Sequence, residues 1–203
     1  IIGSNGAGKT TILKTISGLL RPASGEITFF GKRIDKLPPH RIVEMGIIHV
    51  PEGRRLFPHM SVIENLELGA YTKAAREKMD ETLEKVFEMF PVLKERKKQM
   101  AGTLSGGERQ MVAMAMALIR KPKVMMFDEP TGSLAPKIAK EVLGKIVELR
   151  DALGMTIILV EQNARRALEI GDKAYLLVSG RLVFEGDPQE LLGHPELARL
   201  YLG

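Results

Sequence analysis

No cysteine occurs in the 203 residues. That excludes disulfides and thiolate-ligated metal sites, and it is compatible with a reducing compartment. Long hydrophobic runs are missing too. The longest clean apolar stretch, Met111 to Ile119, is nine residues, whereas a membrane-spanning helix needs about 20. Nor does one sign of charge dominate: 30 basic against 25 acidic residues leave a formal net charge of +5. A basic surface could attract nucleic acid or anionic headgroups. The densest cluster, Lys94-Glu95-Arg96-Lys97-Lys98, carries no interleaved aromatics and reads as a solvated helix end. Internal repeats and low-complexity tracts are absent as well. Against these absences, 44% of residues are hydrophobic, enough to bury a core, and the length suits one domain or one domain with a sub-lobe.

Apolar runs and helical periodicities alternate along the chain, which predicts a mostly parallel sheet covered by helices. Strands are expected at Glu26–Phe30, Gly46–Val50, Val124–Asp128, Thr156–Val160, Ala174–Val178 and Leu182–Glu185. Helices are expected at Lys9–Leu20, Gly106–Arg120, Lys137–Leu153, Ala164–Ile170 and Pro188–Leu192. The stretch Ser61–Gly102 breaks the alternation. It opens on Ser61-Val62-Ile63-Glu64, a capping-box pattern, and Met79, Leu83, Val86, Phe87 and Phe90 then recur at helical spacing before Pro91. A helical insertion between two strands is the natural reading.

Gly3-Ser4-Asn5-Gly6-Ala7-Gly8-Lys9-Thr10 matches the phosphate-loop pattern G-x-x-x-x-G-K-[ST]. Its glycines let the backbone curl so that N–H groups face phosphate oxygens, and the following helix adds the positive end of its dipole. Lys9 is placed to reach the β- and γ-phosphates, and Thr10 to offer its hydroxyl to Mg²⁺; Thr11 follows in the same first turn. An ordinary glycine-rich turn is the plainer alternative. Such a loop normally follows a buried strand, and Ile1-Ile2 is too short to make one, so further strands are expected upstream of Ile1. Val124-Met125-Met126-Phe127-Asp128-Glu129 supplies a buried strand that ends in two carboxylates, at the sheet edge where α/β folds bind ligands. Asp128 suits Mg²⁺, and Glu129 suits a general base acting on water. Leu104-Ser105-Gly106-Gly107-Glu108 has the spacing of a capping box. Its paired glycines would also leave N–H groups bare for an anion.

With these motifs in this order, the chain resembles the ABC ATPase family, whose signature reads LSGGE or LSGGQ. The resemblance covers essentially the whole chain. It implies a P-loop α/β domain of the ABC type over residues 1–203, with an α/β core at 1–60 and 103–203 and a helical subdomain at 61–102. It implies ATP and Mg²⁺ as cofactors. It also implies a second ABC ATPase subunit, identical or different, facing this one head to tail. Ser105, Gly106, Gly107 and Glu108 would then act on ATP held by the partner, while Gly3 to Thr11 hold the chain's own. Val50-Pro51-Glu52-Gly53-Arg54-Arg55 stands where the family usually has a glutamine loop, with Glu52 in place of glutamine. Val160-Glu161-Gln162-Asn163 stands at the switch histidine, with Gln162 in its place. Together with Ala198-Arg199-Leu200-Tyr201-Leu202-Gly203, these departures look like the ATP-binding subunits of branched-chain amino acid importers.

Several consequences come with that resemblance. Gln162 and Glu52 join Glu129 as catalytic candidates, and Glu52 joins Thr10 and Asp128 as a possible Mg²⁺ ligand. Thr131-Gly132-Ser133-Leu134-Ala135-Pro136 stands where related subunits usually read SLGLAP. An aromatic residue for stacking on adenine is expected upstream of Ile1. The expected partners are membrane-spanning permease subunits and, indirectly, a periplasmic or extracellular solute-binding protein, with no nucleic acid. The expected place is the cytoplasmic face of the membrane, peripherally. Two alternatives are an ABC ATPase acting on nucleic acid or translation, and a nucleotide-binding regulator without turnover.

Overall fold

A computed structural model of the chain describes residues 1–53, 55–71 and 73–193. Arg54 and the closing segment Ala198–Gly203, both part of the resemblance, lie outside the described residues. Two compact units emerge. The first comprises Ile1–His49, Met126–Glu129 and the described residues from Ile157 onward; the second comprises Val50–Met125 and Pro130–Thr156.

In the first unit, α1 (Lys9–Ile16) follows the glycine-rich loop. It is shorter than the expected Lys9–Leu20 because Gly18 has φ 75° and lies so close to Ile42 that a Cβ there would come within 2.8 Å of the Ile42 Cδ1. The expected strand Glu26–Phe30 is realised only at β1 (Thr28–Phe29), which pairs antiparallel with β2 (Lys32–Arg33) around Phe30 and Gly31, both at positive φ. α2 (Pro39–Glu44) was not among the expected helices. Its start is nonetheless written in the sequence, since Pro39 at the first helical position has the fixed φ a helix needs.

β3 (Ile47–Val50), β4 (Val124–Asp128) and β5 (Thr156–Val160) form a sheet in that order. Ile1 and Ile2 continue the hydrogen bonding beside β5. The Glu161 N–H donates to the Ile1 carbonyl at 3.3 Å, the Ile2 N–H donates to Tyr175 and the Leu177 N–H donates to Ile2, both at 2.9 Å. The last two bonds make a parallel bridge to β6 (Ala174–Val178), which pairs antiparallel with β7 (Arg181–Gly186). α9 (Ala164–Ile170) and α10 (Pro188–Leu192) pack together. Ile2, Ala164, Ala167, Leu168, Leu176 and Leu191 share one buried cluster, so the residue leading into the loop is fixed by apolar burial as well as by hydrogen bonds.

The second unit is helical along Ser61–Gly102, as the periodicity suggests: α3 (Val62–Gly69), α4 (Lys73–Glu77), α5 (Met79–Met89) and α6 (Pro91–Glu95). Its two ends are tied to each other. The Val62 N–H donates to the Gln99 carbonyl and the Ala101 N–H to Met60, both at 2.9 Å. Asn65, fully buried, accepts from the Phe57 N–H and donates to the carbonyls of Phe57, Met60 and Ser61. Each of its polar atoms is thus answered, as burial requires. α7 (Gly106–Leu118) packs on α3, α6 and α8 (Pro136–Leu153). The approach to α3 depends on Gly69, where a Cβ would come within 2.8 Å of the Met116 carbonyl. α8 buries Ala139, Val142, Leu143, Ile146 and Leu149, one helical face, and stops at Gly154 with φ 59°.

Candidate functional site

The bridged residue Ile2 leads into Gly3, which begins the loop, and the close packing there admits only glycine: a Cβ on Gly3 would lie 2.3 Å from the Leu177 carbonyl, at a φ of 150°. Ser4, Asn5 and Gly6 are exposed; Ala7 is buried. Gly8, at φ 101°, turns the chain into α1, and no side chain caps that helix. The N–H groups of its first turn have no partner within the helix and can bond a ligand.

Lys9 is buried and turned back over this loop. Its Nζ donates to the Gly3 carbonyl at 2.8 Å and the Ser4 carbonyl at 3.2 Å, and it lies 3.3 Å from Glu129 Oε1. An ammonium has three hydrogens, so three acceptors answer it completely. Thr10 Oγ1 donates to Asp128 Oδ1 at 2.9 Å. Lys9, Thr10, Asp128 and Glu129 thus meet at one place, where the start of α1 faces the end of β4. Glu129 sits at φ 46°, a left-handed conformation uncommon for a residue other than glycine. Its N–H donates to the Val160 carbonyl at 2.8 Å, which holds the carboxylate beyond the sheet edge.

His49 was not singled out in the sequence. It projects from β3 with its Nε2 3.9 Å from Asp128 Oδ2, and its side chain is nearly buried. The signal was available, since His49 interrupts the apolar run Ile47-Ile48-His49-Val50. Gln162 is exposed just before α9, between buried Glu161 and exposed Asn163, whose side chain accepts from the Arg166 N–H and caps that helix. Glu52 is exposed in a turn of the second unit. Among the described residues, no ion pair or hydrogen bond joins Gln162 to the Lys9 cluster.

Ser105, Gly106, Gly107 and Glu108 also belong to the second unit. Exposed Ser105 caps α7: Glu108 N–H donates to Ser105 Oγ at 3.3 Å, and Ser105 N–H donates to Glu108 Oε2 at 2.8 Å. Burial alone would raise the Glu108 carboxyl. The Ser105 hydrogen bonds and the charge of Arg96, whose Nε is 2.8 Å from Glu108 Oε1, outweigh it and leave the group below its ordinary value. Gly107 has a packing reason of its own, because a Cβ there would be 2.5 Å from Ile138 Cγ2. Ser133 adopts φ 60°. It occupies the position that is glycine in the pattern SLGLAP, and the left-handed backbone explains why glycine suits that place.

Among the described residues no three His, Cys, Asp or Glu side chains gather as a metal cage. One carboxylate and one hydroxyl are nevertheless a fitting set for Mg²⁺, which keeps several waters and takes further oxygens from phosphates. Among the described residues, no helix is long and apolar enough to cross a membrane.

The profile of the ABC transporter family matches residues 1–132. A probable branched-chain amino acid transport ATP-binding protein, LivF of Archaeoglobus fulgidus, is 48% identical over all of this chain and 86% of its own length. The high-affinity branched-chain amino acid transport ATP-binding protein BraG of Pseudomonas aeruginosa is 44% identical over the same shares. Among solved structures, cbiO1 of Clostridium perfringens, part of the ABC transporter complex cbiONQ, superposes with a TM-score of 0.83 at 28% identity, over 98% of this chain and 81% of that one. A phosphate loop whose lysine and threonine meet the two acids of a buried strand, an LSGGE helix cap and this full-length similarity lead to one conclusion: the chain belongs to the ABC transporter ATPase family.

Proposed function

We propose that this ATPase powers uptake of branched-chain or similar hydrophobic amino acids, working as one of a pair of ATP-binding subunits beneath membrane-spanning permeases. The observation that carries the chemistry is the meeting of Lys9, Thr10, Asp128 and Glu129 at the mouth of the loop. The similarity to LivF and BraG supports the cargo; nothing in the site itself is specific to an amino acid.

Gly3 to Thr11 receive the phosphates, their backbone N–H groups and Lys9 countering the charge. Thr10 and Asp128 are the residues that would hold Mg²⁺. Bound there, Mg²⁺ would supply positive charge against the phosphates. Glu129 takes the proton of the attacking water. Gln162 donates an amide hydrogen toward the γ-phosphate but cannot carry the positive charge that a histidine could. Ser105, Gly106, Gly107 and Glu108 present a capped helix start to ATP held by the partner subunit. The terminal phosphate favours the paired state, and its loss lets the pair separate. On this reading the chain works peripherally at the cytoplasmic face of a membrane, held there by its permeases. A solute-binding protein would act on the far side.

Glu129→Gln tests the reading. It keeps the side chain's size and removes the base, so turnover falls by about a hundredfold or more, while ATP binding persists and the paired form accumulates on a sizing column. Unchanged turnover would rule Glu129 out as base. With co-expressed permeases in vesicles, leucine uptake dependent on ATP is expected; uptake of an unrelated solute in its place would refute the cargo.

A further inference from the structure

β6 and β7 are joined by a two-residue loop, Ser179-Gly180, at φ 48° and 79°. Two left-handed residues in succession make the tight turn that suits the twist of an antiparallel pair. Within such a turn the N–H of the second residue has no partner and ordinarily faces water. Here Gly180 N–H donates to the Ala7 carbonyl at 3.0 Å. The hairpin also holds the other end of the phosphate loop, through the bridge from Ile2 to Leu176 and the Leu177 carbonyl packed on Gly3. Near the loop's exit, a Cβ on Gly8 would sit 3.8 Å from Gly180 Cα. One hairpin therefore grips the loop at its entry and its exit, and the exposed residues Ser4, Asn5 and Gly6 arch between the two grips.

A trans peptide points its C=O and its N–H in opposite directions. Fixing the Ala7 carbonyl on Gly180 therefore aims the Gly8 N–H away from the hairpin. We propose that Gly180 is a positioning residue for nucleotide binding: its N–H locks the Ala7–Gly8 peptide so that the Gly8 N–H stays directed at phosphate. The inference rests on the nucleotide reading above and adds to it a residue that lies more than 160 positions along the chain from the loop and touches no reacting atom.

The test compares Gly180→Val with Gly180→Asn in the whole chain. Space is not the issue, since nothing lies within 4 Å of a Cβ at this position. Backbone conformation is: asparagine tolerates a left-handed φ, whereas a β-branched residue does not. Gly180→Val is expected to weaken ADP binding, and to raise the KM for ATP, by about tenfold, a shift of the size such backbone strain can supply. Its kcat at saturating ATP should stay within about twofold, since no reacting group is touched. Gly180→Asn should restore ADP affinity and KM to near wild type. A loss that was merely structural would instead lower melting temperature and active fraction, leaving the KM of the folded enzyme unchanged.

Wild-type ADP affinity in folded Gly180→Val would overturn the proposal, and so would an equal loss in Gly180→Asn. If Gly180→Val does not fold, hydrogen exchange of the Gly180 amide in the wild-type chain decides. Protection is expected, and exchange as fast as in an open turn overturns the idea. A wild-type chain that fails to bind ADP would bring down the nucleotide reading and this inference together. Binding that ignores Gly180 brings down the inference alone.

Discussion

Glycine is used for different reasons within a single loop, and substitution separates them. Gly3 lies where a Cβ would strike the Leu177 carbonyl at 2.3 Å, so Gly3→Ala forces backbone apart in addition to its torsional cost. At Gly6, φ 78°, nothing stands within 4 Å, so Gly6→Ala meets only the left-handed penalty, about 1–2 kcal/mol. Urea unfolding should therefore show Gly3→Ala less stable than Gly6→Ala, by about 1–3 kcal/mol for the overpacking. Equal losses would mean that the loop entry is not closely packed. The sequence pattern located both glycines but could not tell them apart, because the difference lies in a carbonyl of β6 far along the chain. His49 escaped for a similar reason: its place beside Asp128 follows from β3 neighbouring β4, an order that local periodicity does not contain.

At the scale of an element, the helix starts were the most legible features. Ser61-Val62-Ile63-Glu64 and Ser105-Gly106-Gly107-Glu108 both form complete capping boxes, since the bonds of a cap are local and need only residues three apart. Ser61→Ala should cost about 1 kcal/mol of unfolding free energy. Glu64 adds a pH dependence. Its hydrogen bonds from the Ser61 hydroxyl and N–H hold the carboxyl below its ordinary 4.5, so the folded state binds a proton less readily than the unfolded chain. The resulting stability is fully present above 4.5 and is lost as pH falls through the depressed value. The gap between wild type and Glu64→Gln in urea midpoints should thus narrow on acidification from pH 7, and a gap independent of pH would contradict the bond. Legibility was poorer where an element depends on partners far away. β1 shrank to two residues because only Thr28 and Phe29 find partners in β2. α2 is short enough that its Pro39 start had no long periodicity behind it.

For the whole molecule, the two motifs that the proposed function directs at phosphate belong to different compact units: the loop at Gly3–Thr10 to the first and the LSGGE cap to the second. A head-to-tail pair gives each device a separate duty. In mixed pairs with one Ser105→Arg subunit, the ATP site completed by that serine should fail, while the mutated subunit keeps its own bound ATP. If labelled nucleotide is lost instead from the subunit bearing the change, the head-to-tail arrangement is wrong. Motif order is enough to suggest this proposed plan, because both motifs are built from contiguous residues. Their distances to a second subunit are not written in any single chain. The bonds of Lys9 within its loop act on this scale as well. With Gly3, Ser4 and Glu129 satisfying its ammonium, an anion that reaches Lys9 must exchange those bonds for its own. A small ion must displace those bonds while offering few in return, whereas a longer polyanion recoups the loss at several N–H groups together. The bonds of the lysine therefore favour long polyanions over small inorganic ones, a selectivity by the number of bonds returned.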